Sequence, residues 1–330
     1  MSTQVLVTGG TGFIGRHLVE LLLEQGHPVR VLARHGSKAR ALFGGRAEIV
    51  VGDLLDDASL TPASDGMEII YHVGGLNRIG PGHAAELQNV NAEGTRRLLA
   101  AAVRCKPRTL VHVSSAGALQ SHRPLTTEPD LPAERPRFSP YKASKWDAEQ
   151  AVLRAAAEGV PAILASPTCP IGAGDEQPTP TGAMVKDFLE GRFPFLCHTG
   201  LNFIAVEDVA RGLVAAARKG QPGARYILGN ENLYLSQFLA LVGRESGMPV
   251  PRWTLPWPLI FGAGLAAETA AKIGIVPKQN ICLETALQAR RIQFFDNSRT
   301  RRELDWAPQE DLAASVRRAV DWFRKHSQAH

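Results

Sequence analysis

Cysteine is scarce in this chain. Four residues, Cys105, Cys169, Cys197 and Cys282, are spread over 330 positions, and no two form a C-x-x-C pair. A disulfide framework and a cysteine zinc site both need closer, paired spacing. Neither is expected, no metal site is expected, and the expected compartment is a reducing cytoplasm. Charge is not concentrated either. The formal net charge is +5, with no run of five or six like charges. The densest basic stretch, Arg299 to Arg302, is broken by Thr300 and followed by Glu303. That pattern suits a solvated helix face better than a nucleic-acid surface, and no nucleic-acid partner is expected. No secretory signal reads from the N-terminus: the first apolar run, Val5 to Val7, leads into glycines with no basic region before it. Nor is there a long uninterrupted apolar run. The nearest, residues 254–276, contains Glu268 and Lys272, and a charge at mid-span costs about 2.5–3.5 kcal/mol. A buried or lid-like helix is expected there, with peripheral contact to a membrane surface as the lesser alternative. No internal repeat is visible.

What the chain does have is an ordinary globular balance, 44% hydrophobic and 21% charged. At this length it buries a sizeable core and suggests two lobes. The first 170 residues alternate short apolar runs with helical spacing. Expected strands are Thr3–Thr8, Pro28–Ala33, Glu48–Val51, Met67–Val73, Thr109–Val113 and Pro161–Ala165. Helices are expected at Phe13–Leu23, Glu86–Cys105 and Ser139–Glu158. Strand–helix–strand repetition with short links predicts an α/β fold, a doubly wound parallel sheet of Rossmann type with helices on both faces. After Pro167 the texture changes. Residues 170–180 are rich in Gly and Pro and read as loop. The remainder reads as a smaller, mostly helical C-terminal lobe. The expected division is 1–170 for a dinucleotide-binding domain and 171–330 for a substrate lobe, with later elements returning to the sheet.

The turn Gly9-Gly-Thr-Gly12-Phe-Ile-Gly15 follows an expected strand and opens an expected helix. In that context the glycines permit a tight turn, close approach of a pyrophosphate, and close helix–strand packing. The helix N-terminus offers free N–H groups to the phosphates. Gly9, Thr11, Gly12, Phe13, Ile14 and Gly15 are therefore the expected dinucleotide contacts. The second strand ends Val31-Leu32-Ala33-Arg34-His35, with no acid to accept from a ribose 2′-hydroxyl. Arg34 instead suits a 2′-phosphate, helped by Ser37 and Lys38, so NADP(H) is favoured over NAD(H).

Ser139-Pro140-Tyr141-Lys-Ala-Ser-Lys145 reads as a helix start, with Ser139 the N-cap and Pro140 in the first turn. Tyr141 and Lys145, four apart, share one face. An ammonium near a phenol lowers its pKa from about 10 and makes it a usable acid or base for a carbonyl or alcohol. Ser114-Ser115 falls at the C-terminal end of the fifth strand, the edge where parallel sheets bind ligands. A hydroxyl there can donate to a carbonyl oxygen as charge develops, or simply cap the strand end.

With T-G-G-T-G-F-I-G at 8–15, G-D-L at 52–54, N-x-x-G-T at 91–95, V-S-S-A at 113–116 and Y-K-A-S-K at 141–145, the sequence resembles the extended short-chain dehydrogenase/reductase family. Within it, the nearest likeness is to the dihydroflavonol-reductase, 3β-hydroxysteroid-dehydrogenase and hopanoid-associated epimerase-like group. F-I-A-V-E-D-V-A at 203–210 and F-D-N-S-R-T-R-R-E-L at 295–304 extend the resemblance to nearly the whole chain. The resemblance implies that Ser115 polarises the substrate oxygen. It implies that Tyr141 exchanges the proton, and that Lys145 tunes it and holds the nicotinamide ribose. It also implies that Asp53 and Leu54 flank the adenine, that Val73 and Gly74 line the cofactor, and that Pro167 and Thr168 approach the nicotinamide. Many relatives have alanines where Gly74 and Gly75 stand. The family's dimers pair the helices that correspond to Glu86–Cys105 and Ser139–Glu158, so a homodimer fits.

Three functions compete. One is a reductase or dehydrogenase acting on an apolar small molecule. A second is a nucleotide-sugar epimerase or dehydratase. A third is a cofactor-binding sensor without turnover. Sugar-nucleotide relatives usually carry an Asn where Cys169 stands and an Arg just before the F-x-x-V-x-D segment, where Asn202 stands. Two phosphate charges would lack those donors unless Arg192 or Arg211 substituted. The intact Ser115, Tyr141 and Lys145 set disfavours the sensor. Trp253, Trp257, Leu259, Ile260 and Phe261 suit an apolar substrate wall or a plain core.

Overall fold

The computed structural model describes residues 3–78, 81–118, 125–128, 134–193, 195–272 and 283–327. Its central sheet is made largely of short apolar runs, because every strand but the edge strand Glu48–Val51 is covered on both faces. In chain-order numbering these are β1 (Val5–Thr8), β2 (Val29–Ala33), β3 (Glu48–Val51), β4 (Ile69–His72), β5 (Thr109–Val113), β7 (Ala162–Pro167) and β10 (Arg225–Leu228). They pair in the order β10-β7-β5-β4-β1-β2-β3, and every pairing is parallel. From β1 the chain winds outward to β2 and β3, then returns to the other side of β1 as β4. The reversal opens a crevice between the C-terminal ends of β1 and β4, where ligands of such sheets bind.

Two cores flank the sheet. On one face α1 (Phe13–Glu24), α2 (Gly36–Phe43) and α8 (Val206–Lys219) pack on Val5, Val7, Val31, Tyr71 and Val111. On the other, α3 (Asp57–Ser64), α5 (Gly94–Cys105) and α6 (Pro140–Ala157) pack on Leu6, Ile70, Leu110 and Leu164. Odd and even strand positions thus divide between the faces, as the pleat requires. Residues 225–228 supply the seventh strand, so the sheet draws on the later part of the chain.

A third core lies beyond the sheet's edge. There β8 (Cys169–Ile171), β9 (Gly200–Ala205) and β11 (Glu231–Tyr234) form a small sheet. It is covered by α7 (Pro180–Leu189), α9 (Leu235–Ser246) and α13 (Leu312–Ser327) around Phe203, Phe238 and Val316. Residues 170 and 171, expected as loop, lie in β8. Pro170 is tolerated because β8 is an edge strand of that sheet. Two further short strands, β6 (Leu125–Thr126) and β12 (Phe294–Phe295), pair with each other. The remaining helices are α4 (Ala84–Leu87), α10 (Trp257–Lys272), α11 (Leu283–Gln288) and α12 (Ser298–Leu304).

The helix expected over 254–276 is α10, but it is not buried: Leu259 is 60% and Leu265 48% exposed. Positions 273–276 lie outside the described residues, as does Cys282; Cys105, Cys169 and Cys197 are free. Among the described residues no helix is long and apolar enough to cross a membrane. The single helix expected over Glu86–Cys105 is instead three pieces: α4, a π-helical turn at Gln88–Glu93, and α5. A π turn inserts a residue into the helical ladder, and such turns cluster at functional sites.

One buried carboxylate ties the C-terminal segment to the sheet. Asp208, fully buried in the first turn of α8, accepts from the backbone N–H groups of Gln309 (2.8 Å) and Glu310 (3.0 Å) and from Arg211 (2.9 Å). Asp208→Ala takes the acceptor from two backbone donors, while Arg211 keeps Glu310. The expected loss is about 1–3 kcal/mol of stability, read as a lower urea midpoint with an unchanged slope.

Candidate active site

The crevice between β1 and β4 is built from backbone. Gly9 takes a left-handed conformation (φ +71°), and a Cβ on it would lie 2.5 Å from the Gly74 nitrogen. A Cβ on Gly15 would lie 2.1 Å from the Gly9 carbonyl oxygen. Only glycine allows the turn to fold against both α1 and the end of β4. Gly12 is the N-cap of α1 and brings no side chain to its free N–H groups, which leaves them for an anion. Thr11, Phe13 and Ile14 complete the turn into α1. The residues present therefore fit a dinucleotide pyrophosphate.

The other expected cofactor contacts line the same edge. Val73 and Gly74 follow β4, and the Gly74 N–H donates to the Thr8 hydroxyl at 3.2 Å. Leu54 packs on Gly74: a Cβ there would lie 3.0 Å from its Cδ1. Asp53 turns its carboxylate to the Leu55 N–H (2.9 Å). Pro167 ends β7, and Thr168 donates from both backbone N–H (3.0 Å) and hydroxyl (3.3 Å) to the Leu228 carbonyl. Arg34 is exposed at the end of β2. Lys38 is engaged by Glu176, with the ammonium 2.7 Å from a carboxylate oxygen.

Ser115, Tyr141 and Lys145 meet at the end of β5. Ser139 caps α6 by accepting from the Lys142 N–H (3.2 Å), with Pro140 in the first turn. The cap aims Tyr141 and Lys145 at the sheet edge. The Ser115 side chain lies close enough to the Tyr141 phenol to act on its pKa, and the Ser115 oxygen accepts from the Gly117 N–H at 3.2 Å. Burial pushes the phenol above its ordinary value, while the Ser115 contact acts downward. Lys145 is not among the groups that lower it. Its buried ammonium donates to the Val113 carbonyl (3.0 Å), and burial lowers its pKa to about 8. The downward pull on the phenol expected from Lys145 is thus exerted here by Ser115.

Asn91 belongs to the site and stood in the sequence only as part of a family motif. The π turn carries its carboxamide to the loop after β4. There it accepts from the Leu76 N–H (2.7 Å) and donates to the Leu76 carbonyl (3.0 Å) and the Ser144 hydroxyl (2.9 Å). Ser144 lies between Tyr141 and Lys145 in sequence. A Cβ on Gly75 would lie 3.1 Å from the Asn91 oxygen and 3.3 Å from the Lys145 ammonium, so this loop passes close to both.

The positions that would serve a sugar diphosphate are otherwise occupied. Burial pushes the Cys169 thiol up to about 11. The Asn202 side chain donates to Asn232 (2.8 Å) and accepts from the Asn230 N–H (2.9 Å). Arg192 pairs with Asp187 and Glu190, and Arg211 with Asp208 and Glu310. Of the expected apolar wall, Trp257 and Ile260 line a cavity of about 340 Å³ with Leu255, Pro256, Cys197 and Arg290. Trp253 and Leu259 face outward.

Fold and site together define an NAD(P)-dependent oxidoreductase. The model of the NAD dependent epimerase/dehydratase family matches residues 5–229, and the chain belongs to that family, the extended short-chain dehydrogenases/reductases. It is 35% identical to a Synechocystis protein named "Putative dihydroflavonol 4-reductase", over 99% of this chain and 96% of that protein. It is 32% identical to sterol demethylase protein B of Methylococcus capsulatus, over 97% and 98%. Among solved structures, that of gox2253 superposes with a TM-score of 0.85 at 34% identity, covering 99% of both chains.

The glycine turn yields a direct test. Gly15→Ala forces apart the Gly9 carbonyl and α1, at a strain of order 1–3 kcal/mol. Fluorescence titration should show NADPH and NADH binding weakened at least about tenfold.

Proposed function

We propose that this protein transfers a hydride between NADP(H) and the carbonyl or secondary alcohol of an apolar small molecule. Residues 1–170 hold most of the cofactor and residues 171–330 the substrate. One observation carries the reading: Ser115 at the end of β5 and the Tyr141 phenol at the start of α6 are close enough for Ser115 to act on the phenol's pKa, with buried Lys145 one helical turn further along α6. The cofactor, when bound, supplies or accepts the hydride. Ser115 holds the substrate oxygen and donates to it as negative charge grows there. Tyr141, its phenol kept protonated by burial, delivers the proton in the reducing direction. Lys145, its ammonium held on the Val113 carbonyl, holds the nicotinamide ribose beside the phenol. Asn91 braces the loop that covers Lys145.

The preference for NADP(H) rests on Arg34, exposed where a ribose 2′-substituent would sit, and on the lack of an acid there. An apolar substrate is supported by the relatives: a sterol demethylase protein and, at 28% identity, a farnesyl-dihydroquinoline-oxide ketoreductase of Stigmatella aurantiaca. It is supported too by the apolar cavity beside Trp257. The nucleotide-sugar reading is disfavoured because Arg192, Arg211 and Asn202 all have partners within the protein. The sensor reading falls with membership of an oxidoreductase family.

Two measurements test the proposal. Wild-type protein should consume NADPH with at least one ketone in a panel of long-chain, aryl and polycyclic ketones, one NADPH per alcohol formed. UDP- and dTDP-hexoses should neither bind at micromolar concentration nor epimerise. Tyr141→Phe should keep NADPH affinity within about threefold and lose about 10²–10⁴ in turnover; retained turnover would exclude Tyr141 as the acid. Separately, Arg34→Asp should weaken NADPH binding at least about tenfold while changing NADH affinity little. Equal losses by calorimetry would remove the assignment of NADP(H).

A further inference from the structure

A polar row crosses the sheet under the active site, inside an otherwise apolar core. Thr8, His72 and His112 are register neighbours on β1, β4 and β5, and all are buried. They share the face that carries α5 and α6. None of them has a place in the chemistry described above. The two ring nitrogens of His112 have no hydrogen-bond partner among the described residues, whereas both of those of His72 do.

The hydrogen bonds around His72 have a determinable direction. The Thr95 hydroxyl donates its one proton to the Asn91 carbonyl at 2.6 Å. Toward the His72 Nε2, 2.9 Å away, the same oxygen can therefore only accept, so Nε2 carries the hydrogen. Nδ1 is then bare and accepts from the Thr8 hydroxyl at 2.8 Å. The Thr8 oxygen in turn accepts from the Gly74 N–H at 3.2 Å. The chain Gly74 N–H, Thr8, His72, Thr95, Asn91 C=O is directed throughout, with every donor aimed at an acceptor. One end is the residue before the glycine turn, together with the loop that the turn touches. The other is the π turn whose Asn91 carboxamide holds Leu76 and Ser144 beside Tyr141 and Lys145.

We propose that His72, as the neutral Nε2–H tautomer, is a positioning residue that joins the cofactor seat at Thr8 and Gly74 to the π turn that sets Asn91 beside the catalytic helix. The proposal rests on the Ser115, Tyr141 and Lys145 assignment for its effect on turnover, though not for its effect on cofactor binding or on the tautomer. The surroundings keep the ring neutral. Burial is the chief cause that drives its pKa down to about 3, and the Lys145 ammonium adds to it. The other ring facing it is His112, 4.9 Å between centroids, itself held well below its ordinary value by burial. A protonated His72 would point an N–H at Thr8, reverse that one bond and leave the Thr8 hydroxyl proton without its acceptor.

The two ends of the chain predict different kinetic signatures. Thr95→Val keeps side-chain shape and cuts the Asn91 end. At saturating NADPH and the fastest ketone of the panel, kcat should fall at least about tenfold, with the NADPH Kd within about twofold of wild type. Thr8→Val cuts the cofactor end. It should weaken NADPH binding about three- to tenfold and lower kcat less than Thr95→Val does. His72→Gln places an amide donor near the former Nε2 and should restore kcat relative to His72→Leu. ¹⁵N NMR of the imidazoles at pH 7, with the His72 signal identified by its loss in His72→Gln, should show the Nε2–H tautomer. Three results would overturn the proposal. One is the Nδ1–H tautomer or an imidazolium at pH 7. Another is Thr95→Val with wild-type kcat and only a lowered Tm. The third is equal effects of the two valine variants on Kd and kcat. If Tyr141→Phe retains turnover, the catalytic assignment fails alone, and the tautomer and the Thr8→Val affinity still decide the coupling.

Discussion

The architecture depends on one close approach. The backbone at Gly9 lies against the backbone at Gly74, with no room for a Cβ on Gly9. The contact brings the end of β1 to the end of β4 at the point where the winding of the sheet reverses. Gly15 must then come down on the Gly9 carbonyl for α1 to start where it does. A larger residue at either place would push α1 off the sheet and close the crevice. With glycine, the free N–H groups of α1 face the crevice, and the dipole of the helix favours the phosphates of a dinucleotide.

From that crevice the site extends toward β5 and α6, where hydrogen bonds hold two of the buried polar groups in place. Lys145 is buried against the Val113 carbonyl, and Asn91 between Leu76 and Ser144. Desolvation of this kind costs several kcal/mol if a partner is lost. The same bonds that stabilise the groups therefore orient them. For the proposed reaction, that is the condition for a carbonyl oxygen to find its donors in place without reorganisation of the protein.

Two guanidinium groups beyond the sheet are paired within the protein: Arg211 with Asp208 and Glu310, Arg192 with Asp187 and Glu190. Freeing Arg211 would take a cation from the fully buried Asp208, which then rests on two backbone donors. The Arg211 arrangement thus serves to bind the C-terminal segment to α8, and a separate cavity lies beside Trp257.

Much of this was legible in the sequence, because the determinants are local. Buried parallel strands are short apolar runs, so β1, β2, β5 and β7 could be read within one or two residues. Ser139 and Pro140 announce the start of α6, and the spacing of Tyr141 and Lys145 places both on one face of it. The glycine turn follows from the strand before it and the helix after it. Tertiary structure alone decided what depends on non-local partners. The π turn at Gln88–Glu93 looks like ordinary helix in sequence, since its distortion accompanies bonds from Asn91 to Leu76 and Ser144. Pro170 reads as loop until β9 provides a strand for β8 to edge. The ionisation of Tyr141 is set by burial and by Ser115, which no spacing reveals. His72 reads as one more residue of a buried strand, and its role follows from Thr8 and Thr95, far away in the chain and adjacent only after the sheet has closed.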